Sequence, residues 1–183
     1  MLNLQPRPFL IFVIDTSALY NHEQFTAEDI QLATPPIIEK EMYQKGLRDT
    51  VELLKVTKKL QILEPTTHSL KKVKATATRL GDLPSLSDPD QQLIALALDL
   101  KSQGSHVVII TDDYSIQNVA KRLSLEFKSA STPGIREIIN WEIYCPACGH
   151  KEPKSSKDEI CPICGTPLKR RAVHKKRIRE KSV

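Results

Sequence analysis

The chain has 183 residues, of which 40% are apolar and 27% charged, and this composition is typical of a folded domain with a small appendage. No stretch approaches the roughly 20 consecutive apolar residues of a membrane-spanning helix, and the longest apolar run, Phe9 to Ile14, has the length of a strand. The sequence also lacks the pattern of a secretory signal, so we expect a cytoplasmic protein.

The net charge of +5 is distributed very unevenly. Residues 1–144 contain 16 basic and 18 acidic side chains, a net charge of −2, whereas residues 145–183 contain 11 basic and 4 acidic ones, a net charge of +7. An acidic body followed by a basic end predicts a polyanionic partner that the basic end holds.

In chain order, apolar runs alternate with amphipathic stretches. Strands are predicted at residues 9–14, 60–63, 107–110 and 125–127, and helices at residues 35–45, 50–58, 66–80, 88–101 and 114–123. Residues 83–86 are rich in turn formers and predict a hinge. Helices that alternate with buried strands indicate an α/β fold with a parallel, doubly wound sheet.

Acidic residues follow two of the predicted buried strands. Asp15 comes directly after the first, and Asp112 follows the strand at residues 107–110 with Thr111 between. Because ligands bind at the carboxyl ends of strands in open parallel sheets, we expect both carboxylates to line a site.

The helix predicted from Asp88 supplies a third carboxylate. Asp88 fits an N-cap, with Gln91 completing a capping-box pattern, which gives Asp88 a structural role. Asp90 shares a helix face with Leu93 and Ile94, so we expect it to point inward.

A fourth carboxylate comes from the helix at residues 35–45, which offers two. On a helical wheel Glu41 falls between Ile37 and Ile38 on the buried side, whereas Glu39 points the other way. Glu41 is therefore the predicted site residue, with Glu39 as the alternative.

Several carboxylates directed at one place normally hold a cation, because isolated buried charges are costly. Ligand sets made of oxygen favour Mg²⁺ or Mn²⁺, which can activate water for attack on a phosphodiester. Each acid alone is more often a helix cap or a solvated side chain, so the hypothesis depends on the four acting together.

These residues resemble the PIN-domain nucleases. The matching stretches are the strand ending in Asp15-Thr16-Ser17, TPPIIEKEM with Glu41, LSDPDQQLIALALDL with Asp90 and VVIITDDYSIQNVA with Asp112. With a cysteine ribbon behind it, the chain resembles, from about Phe9 to Leu168, the archaeal form of the Nob family, the PIN-plus-zinc-ribbon endonucleases that mature the 3′ end of small-subunit ribosomal RNA.

The resemblance implies a PIN-like three-layer fold with a twisted, five-stranded parallel sheet and a Mg²⁺- or Mn²⁺-dependent cut of single-stranded RNA. The catalytic and metal-binding acids that it implies are Asp15, Glu41, Asp90 and Asp112. Asp113 is implied as a further metal ligand, and the hydroxyls of Thr16, Ser17 and Thr111 as supports.

All four cysteines lie near the end of the chain. Cys145 and Cys148 form one CPxCG motif, and Cys161 and Cys164 form a second after 12 intervening residues. Two such turns predict a closed tetrahedral site for structural Zn²⁺. A redox-active CxxC pair, or iron in place of zinc, is the alternative.

Basic residues surround and follow this ribbon, and we expect them to bind RNA phosphates. The predicted contacts are Lys151, Lys154, Lys169, Arg170, Arg171, Lys175, Lys176, Arg177 and Arg179. The alternative is a disordered, solubilising tail. Trp141 and Tyr144 could stack on bases or pack at the domain junction, and the basic helix at residues 71–79 could contact RNA or simply face solvent.

The expected organisation is a PIN-like nuclease domain at residues 1–130, a linker at 131–140, a Cys₄ zinc ribbon at 141–168 and a basic tail at 169–183. The expected partners are small-subunit precursor rRNA and the pre-ribosomal particle. A toxin-type PIN ribonuclease acting on tRNA or mRNA, a non-catalytic RNA- or ribosome-docking protein, and a receiver-like phosphoacceptor domain are the rival interpretations.

Overall fold

Five parallel strands form the central sheet in the order β3-β2-β1-β4-β5. The computed structural model describes residues 10–20, 30–129, 137–156 and 158–177, with side chains described through residue 173. The strands of this sheet are β1 (Leu10–Ile14), β2 (Ile30–Thr34), β3 (Leu60–Ile62), β4 (His106–Ile110) and β5 (Glu126–Lys128). The predicted α/β fold with a parallel sheet is confirmed.

The sheet core consists of β1 and β4, which are paired in register from Leu10 opposite His106 to Ile14 opposite Ile110. Val13 and Ile109 are directly opposite each other and fully buried. These strands are continuous apolar runs because helices cover both faces of the sheet.

In the described part of the chain, six helices surround the sheet. They are α1 (Thr16–Leu19), α2 (Pro36–Gln44), α3 (Arg48–Val56), α4 (Thr67–Leu80), α5 (Asp88–Ser102) and α6 (Tyr114–Arg122). The predicted hinge contains a single 3₁₀ turn, Leu83–Ser85. No helix in the described part of the chain is long and apolar enough to span a membrane.

Two local predictions differ from the structure. The N-cap of α5 is Ser87, not Asp88, because the Ser87 hydroxyl accepts the Asp90 amide while the Asp90 carboxylate accepts the Ser87 amide. Strand β2 was not predicted. It is a short run, interrupted by Gln31, and its pairing with β1 and β3 stabilises it as a strand.

The C-terminal part forms a second, antiparallel sheet in the order β7-β6-β8. Its strands are β6 (Glu137–Tyr144), β7 (Lys151–Glu152) and β8 (Lys169–Arg177). Residues 137–140, predicted to be linker, are thus strand, as are residues 169–177, predicted to belong to the basic tail. The high charge of residues 169–177 did not predict a strand. Cross-strand pairs such as Glu142 opposite Arg171 stabilise it.

Candidate active site and cysteine centre

Asp15 lies at the carboxyl end of β1, where it caps the short helix α1. Its Oδ1 accepts the Thr16 amide at 2.6 Å, and its Oδ2 lies 3.4 Å from the Ser17 hydroxyl and 3.5 Å from the Thr111 hydroxyl. Burial raises the pKa of Asp15, and the charges of Asp90 and Glu41 raise it further. Asp15 is therefore held rigidly among other negative charges.

Glu41, on α2, faces this residue, whereas Glu39 does not. Oε2 of Glu41 lies 3.5 Å from the hydroxyl of Thr16, directly after Asp15. Glu39 instead binds Lys55 at 2.8 Å and the Tyr43 hydroxyl at 3.0 Å. The geometry thus supports the helical-wheel choice of Glu41.

Asp90, at the start of α5, is the third acid at this end of the sheet. Its Oδ2 accepts the amide of Ser87 at 2.8 Å and the hydroxyl of Ser87 at 2.6 Å. Burial raises the pKa of Asp90, and the charges of Asp113 and then Glu41 add to this effect. The capping box therefore orients the Asp90 carboxylate, whose charge interacts with those of the neighbouring acids.

Asp112 and Asp113 follow β4 and point to different neighbours. Asp113 caps α6, and its Oδ1 accepts the Ser115 amide at 2.6 Å. Asp112 accepts a hydrogen bond from the hydroxyl of Ser129, which lies just after β5. The structure thus brings the charges of Asp15, Glu41, Asp90 and Asp113 together, and it engages Asp112 with Ser129 beside them.

The chemistry of these side chains fits a hard divalent cation. The donors are carboxylate and hydroxyl oxygens. Burial, and after it repulsion between the acids, raises the pKa values of Asp15 and Asp90, and a bound cation opposes both effects. Among the described residues the carboxylates are spaced more widely than the cysteine sulfurs, which form the one tight ligand cluster.

The four cysteines form a compact centre. All four Sγ atoms lie within 4.8 Å of one another, with 3.4 Å between Cys145 and Cys164 and 3.7 Å between Cys148 and Cys161. These separations are too long for disulfides. Four sulfurs at about 2.3 Å from a tetrahedral zinc are about 3.8 Å apart, so the geometry fits a metal cage.

The two CPxCG turns have the same hydrogen bonds. The amide of Cys145 donates to the His150 carbonyl at 2.8 Å, and the amide of Cys161 donates to the Thr166 carbonyl at 2.9 Å. The hydroxyl and amide of Thr166 lower the pKa of Cys164 to about 6, which favours the thiolate that binds metal.

Comparisons with known proteins place this site in a family. Residues 12–100 match the family described as PIN domain of ribonuclease. Endoribonuclease Nob1 of Pyrococcus abyssi is 35% identical over 141 residues, which cover 77% of this chain and 84% of that protein. The chain belongs to the Nob1 family of PIN-domain endoribonucleases.

Two further relatives are a second Nob1 protein and a protein named VapC1. Endoribonuclease Nob1 of Methanocaldococcus jannaschii is 34% identical over 92% of this chain and 81% of its own length. Ribonuclease VapC1 of Thermoplasma acidophilum is 36% identical over 88% of this chain and 78% of its own length. All these relatives are ribonucleases, so the protein is a nuclease, and the predicted family is confirmed.

Several of the predicted RNA-binding side chains of this Nob1-family protein have partners within the chain. Lys151 and Arg171 both pair with Glu142, at 2.8 Å and 2.5 Å, and the Lys154 ammonium donates to the Arg79 carbonyl at 2.9 Å. Lys169 is exposed. The backbone of β8 includes Lys175, Lys176 and Arg177, whose side chains lie outside the described ones, and Arg179 lies outside the described residues.

Arg170, another predicted RNA contact, also has partners within the chain. Its Nη2 donates to Oδ1 of Asp82 at 2.9 Å and to the Gly81 carbonyl at 3.0 Å, and its guanidinium lies 4.6 Å from the centre of the Trp141 ring. These contacts commit Arg170 to the junction between the two sheets. Trp141 therefore packs at this junction, which was one of its two predicted roles.

Two junction residues gave no signal in the sequence. Asp82 is 1% exposed and accepts a hydrogen bond from the Asn118 side chain. The Asn118 amide also donates to the Ile139 carbonyl at 2.8 Å and accepts the Ile139 amide at 2.9 Å, so it pairs with β6 as another strand would. A lone Asp and a lone Asn in polar stretches are ordinary surface residues until a tertiary partner is known.

Proposed function

We propose that this endoribonuclease matures the 3′ end of small-subunit ribosomal RNA, acting in the cytoplasm on the pre-ribosomal particle. The observation that carries this proposal is the group of Asp15, Glu41 and Asp90 at one end of the five-stranded sheet, in a chain whose C-terminal part holds a four-cysteine centre. Membership of the Nob1 family supports the RNA substrate class.

Mg²⁺ or Mn²⁺ is proposed for the acidic site and Zn²⁺ for the cysteines. Asp15, Glu41, Asp90 and Asp112 are the proposed catalytic and metal-binding residues, with Asp113 as a further ligand. When bound, the divalent cation supplies Lewis acidity toward the phosphodiester and lowers the pKa of a water.

In the reaction, the protein's own side chains hold and orient the carboxylates of the site. Thr16, Ser17 and Thr111 fix both oxygens of Asp15, and Ser87 fixes Oδ2 of Asp90. A water oxygen attacks the phosphorus and gives up a proton, one phosphorus–oxygen bond breaks, and the leaving oxygen takes up a proton. Such fixed carboxylates lower the barrier because they need no rearrangement during the reaction.

The organisation proposed is a nuclease body at residues 1–130 and a cysteine ribbon at 141–168, whose sheet also includes residues 137–140 and the basic residues 169–177. In this arrangement the body cuts, and the ribbon with the basic end docks on RNA.

A toxin-type ribonuclease that cuts tRNA or mRNA is the second candidate, because Ribonuclease VapC1 of Thermoplasma acidophilum is as similar as the Nob1 relatives. Both candidates use the same acids. The cysteine centre favours the first, because a separate metal-stabilised module provides a docking platform that cutting alone does not require.

The test is cleavage of a short RNA that spans the 3′ end of the small-subunit precursor, in Mn²⁺ or EDTA. The protein, Asp90→Asn and Asp88→Asn are compared, since Asp88 is exposed and lies next to the site without contributing to it. A single Mn²⁺-dependent cut at the mature end, lost in Asp90→Asn and kept in Asp88→Asn, supports the proposal. Cuts in tRNA or mRNA but not at this end would favour the second candidate.

A further inference from the structure

One face of α4 carries four basic side chains and no acid. Lys71, Lys72, Lys74 and Arg79 are exposed, while the opposite face of the helix buries Val73, Thr76, Ala77 and Leu80. We call these four residues the α4 basic face.

The α4 basic face stands out in a body whose net charge is negative. Some lysines elsewhere in the body pair with acids, as Lys55 does with Glu39 on a neighbouring helix. Among the described residues, no carboxylate lies within ion-pair distance of the α4 basic face. Lys71 and Lys74, three residues apart, repel each other, and no described carboxylate nearby offsets this unfavourable interaction.

Hydrogen bonds fix the direction of α4. At its start, the hydroxyls of Thr66 and Ser69 bind Oδ1 of Asp99, late in α5, at 2.8 Å and 2.7 Å. The two helices are therefore antiparallel, and the end of α4 lies near the start of α5, where Asp90 is. The α4 basic face thus runs about 12 Å along the helix, from Lys71 to Arg79 at the end of α4 that lies toward the start of α5.

The cysteine ribbon meets α4 at this same end. Lys154 donates to the carbonyl of Arg79 at 2.9 Å, and Arg170 donates to the carbonyl of Gly81 at 3.0 Å. These contacts place the loop of the ribbon that contains Lys154 against the end of α4 that carries Arg79.

We propose that the α4 basic face binds the phosphate backbone of single-stranded RNA and leads it to the acidic site. This inference rests on RNA being the substrate. The four residues are all cationic and α4 has no Phe, Tyr or Trp, so the contact is with phosphates and does not depend on sequence.

The test compares two variants that each remove three positive charges. One is Lys71→Gln/Lys74→Gln/Arg79→Gln. The control is Lys58→Gln/Lys121→Gln/Arg122→Gln, which changes residues that precede β3 and β5, at the amino ends of the strands and away from the carboxyl ends where the acids lie. Both variants also carry Asp90→Asn, and binding to an arbitrary single-stranded RNA is measured in EDTA across a salt series.

We expect the slope of log affinity against log salt to decrease by about two in the α4 variant, because each phosphate contact on a single strand contributes about 0.7. The control should keep the slope of the Asp90→Asn protein, and Lys71→Arg/Lys74→Arg should keep it as well. Thermal unfolding verifies that each variant is folded.

An unchanged slope in the α4 variant, or an equal decrease in the control, would overturn the proposal whatever RNA the protein cuts. A selective decrease, together with failure of the unaltered protein to cut precursor rRNA, would support the α4 basic face and overturn the proposed substrate.

Discussion

The guanidinium of Arg170 binds the carboxylate of Asp82 at 2.9 Å although the two residues are 88 positions apart in the chain. The Arg170 side chain is 29% exposed and that of Asp82 is 1% exposed, so this pair joins the ribbon to the body from a largely buried position. Burial raises the pKa of Asp82, and Asn118 and Arg170 partly offset that effect. The pair therefore determines how the two sheets are held together.

Replacing Arg170 by Leu should destabilise the protein by about 3 kcal/mol, because Asp82 then stays buried without its cation. Chemical denaturation at pH 7 measures this loss. Asp82→Asn in the same chain should restore much of it, since an uncharged amide needs no cation. Equal stability of Arg170→Leu and the unaltered protein would show that the pair does not hold the junction.

Gly81→Ala should also destabilise the junction. Gly81 has φ +78°, and a Cβ there would lie 2.5 Å from the carbonyl oxygen of Trp141. Gly46→Ala is the matched control, because Gly46 has φ +80° with nothing within 4 Å of its Cβ position. Both variants bear the left-handed backbone cost of about 1–2 kcal/mol, so thermal unfolding should show a larger loss for Gly81→Ala.

Glu41→Gln should reduce the cleavage rate by about 10²-fold or more, the effect of removing a charged group fixed in an active site. Glu39→Gln removes an acid of the same helix that pairs with Lys55 outside the site, so its rate should change by no more than about threefold. Single-turnover cleavage in Mn²⁺ measures both rates. A larger loss of cleavage rate in Glu39→Gln than in Glu41→Gln would assign the catalytic role to Glu39 instead.

Asp15→Asn should stabilise the protein in EDTA at pH 7 by about 0.5–2 kcal/mol while abolishing cleavage. Asn keeps the cap on α1 and removes a charge that burial and neighbouring acids disfavour. Because the pKa of Asp15 is raised above 3.8 in the folded state, its ionisation lowers stability as the pH rises through that folded pKa.

The stability gain of Asp15→Asn should therefore disappear near pH 3 and be complete at neutral pH. Adding Mn²⁺ at pH 7 should reverse the order, since the cation stabilises only the carboxylate form. Thermal unfolding across pH, with and without Mn²⁺, measures both effects. A gain that is independent of pH would mean that ionisation of Asp15 is not its cause.

Removing metal from the cysteine centre should unfold the two CPxCG turns and leave the five-stranded sheet folded, since the core of the body has no cysteine. Elemental analysis should find one zinc for each chain, and Cys161→Ser should lose it. Hydrogen exchange should then become fast at β7 and stay slow at β1 and β4. Slow exchange throughout the chelated protein would show that the ribbon folds without metal.

The sequence by itself determined the fold class, the positions of the main helices and the two metal-binding patterns. Apolar periodicity is a local property, so α5 and the buried strands β1 and β4 were predictable from it. The spaced cysteines were predictable because the members of each pair are near one another in the chain. The acids after β1 and β4 were predictable because the carboxyl ends of parallel strands lie at the same edge of a sheet.

Only the tertiary structure decided which distant side chains meet. That Ser87 caps α5, that Glu41 faces Thr16, and that Arg170 binds Asp82 instead of remaining available to RNA depend on how separate elements pack. Strands β2 and β8 were missed because partner strands stabilise them more than their own short or charged sequences do. Local sequence encodes the preference of each segment, and the neighbours acquired on folding determine what each charged group does.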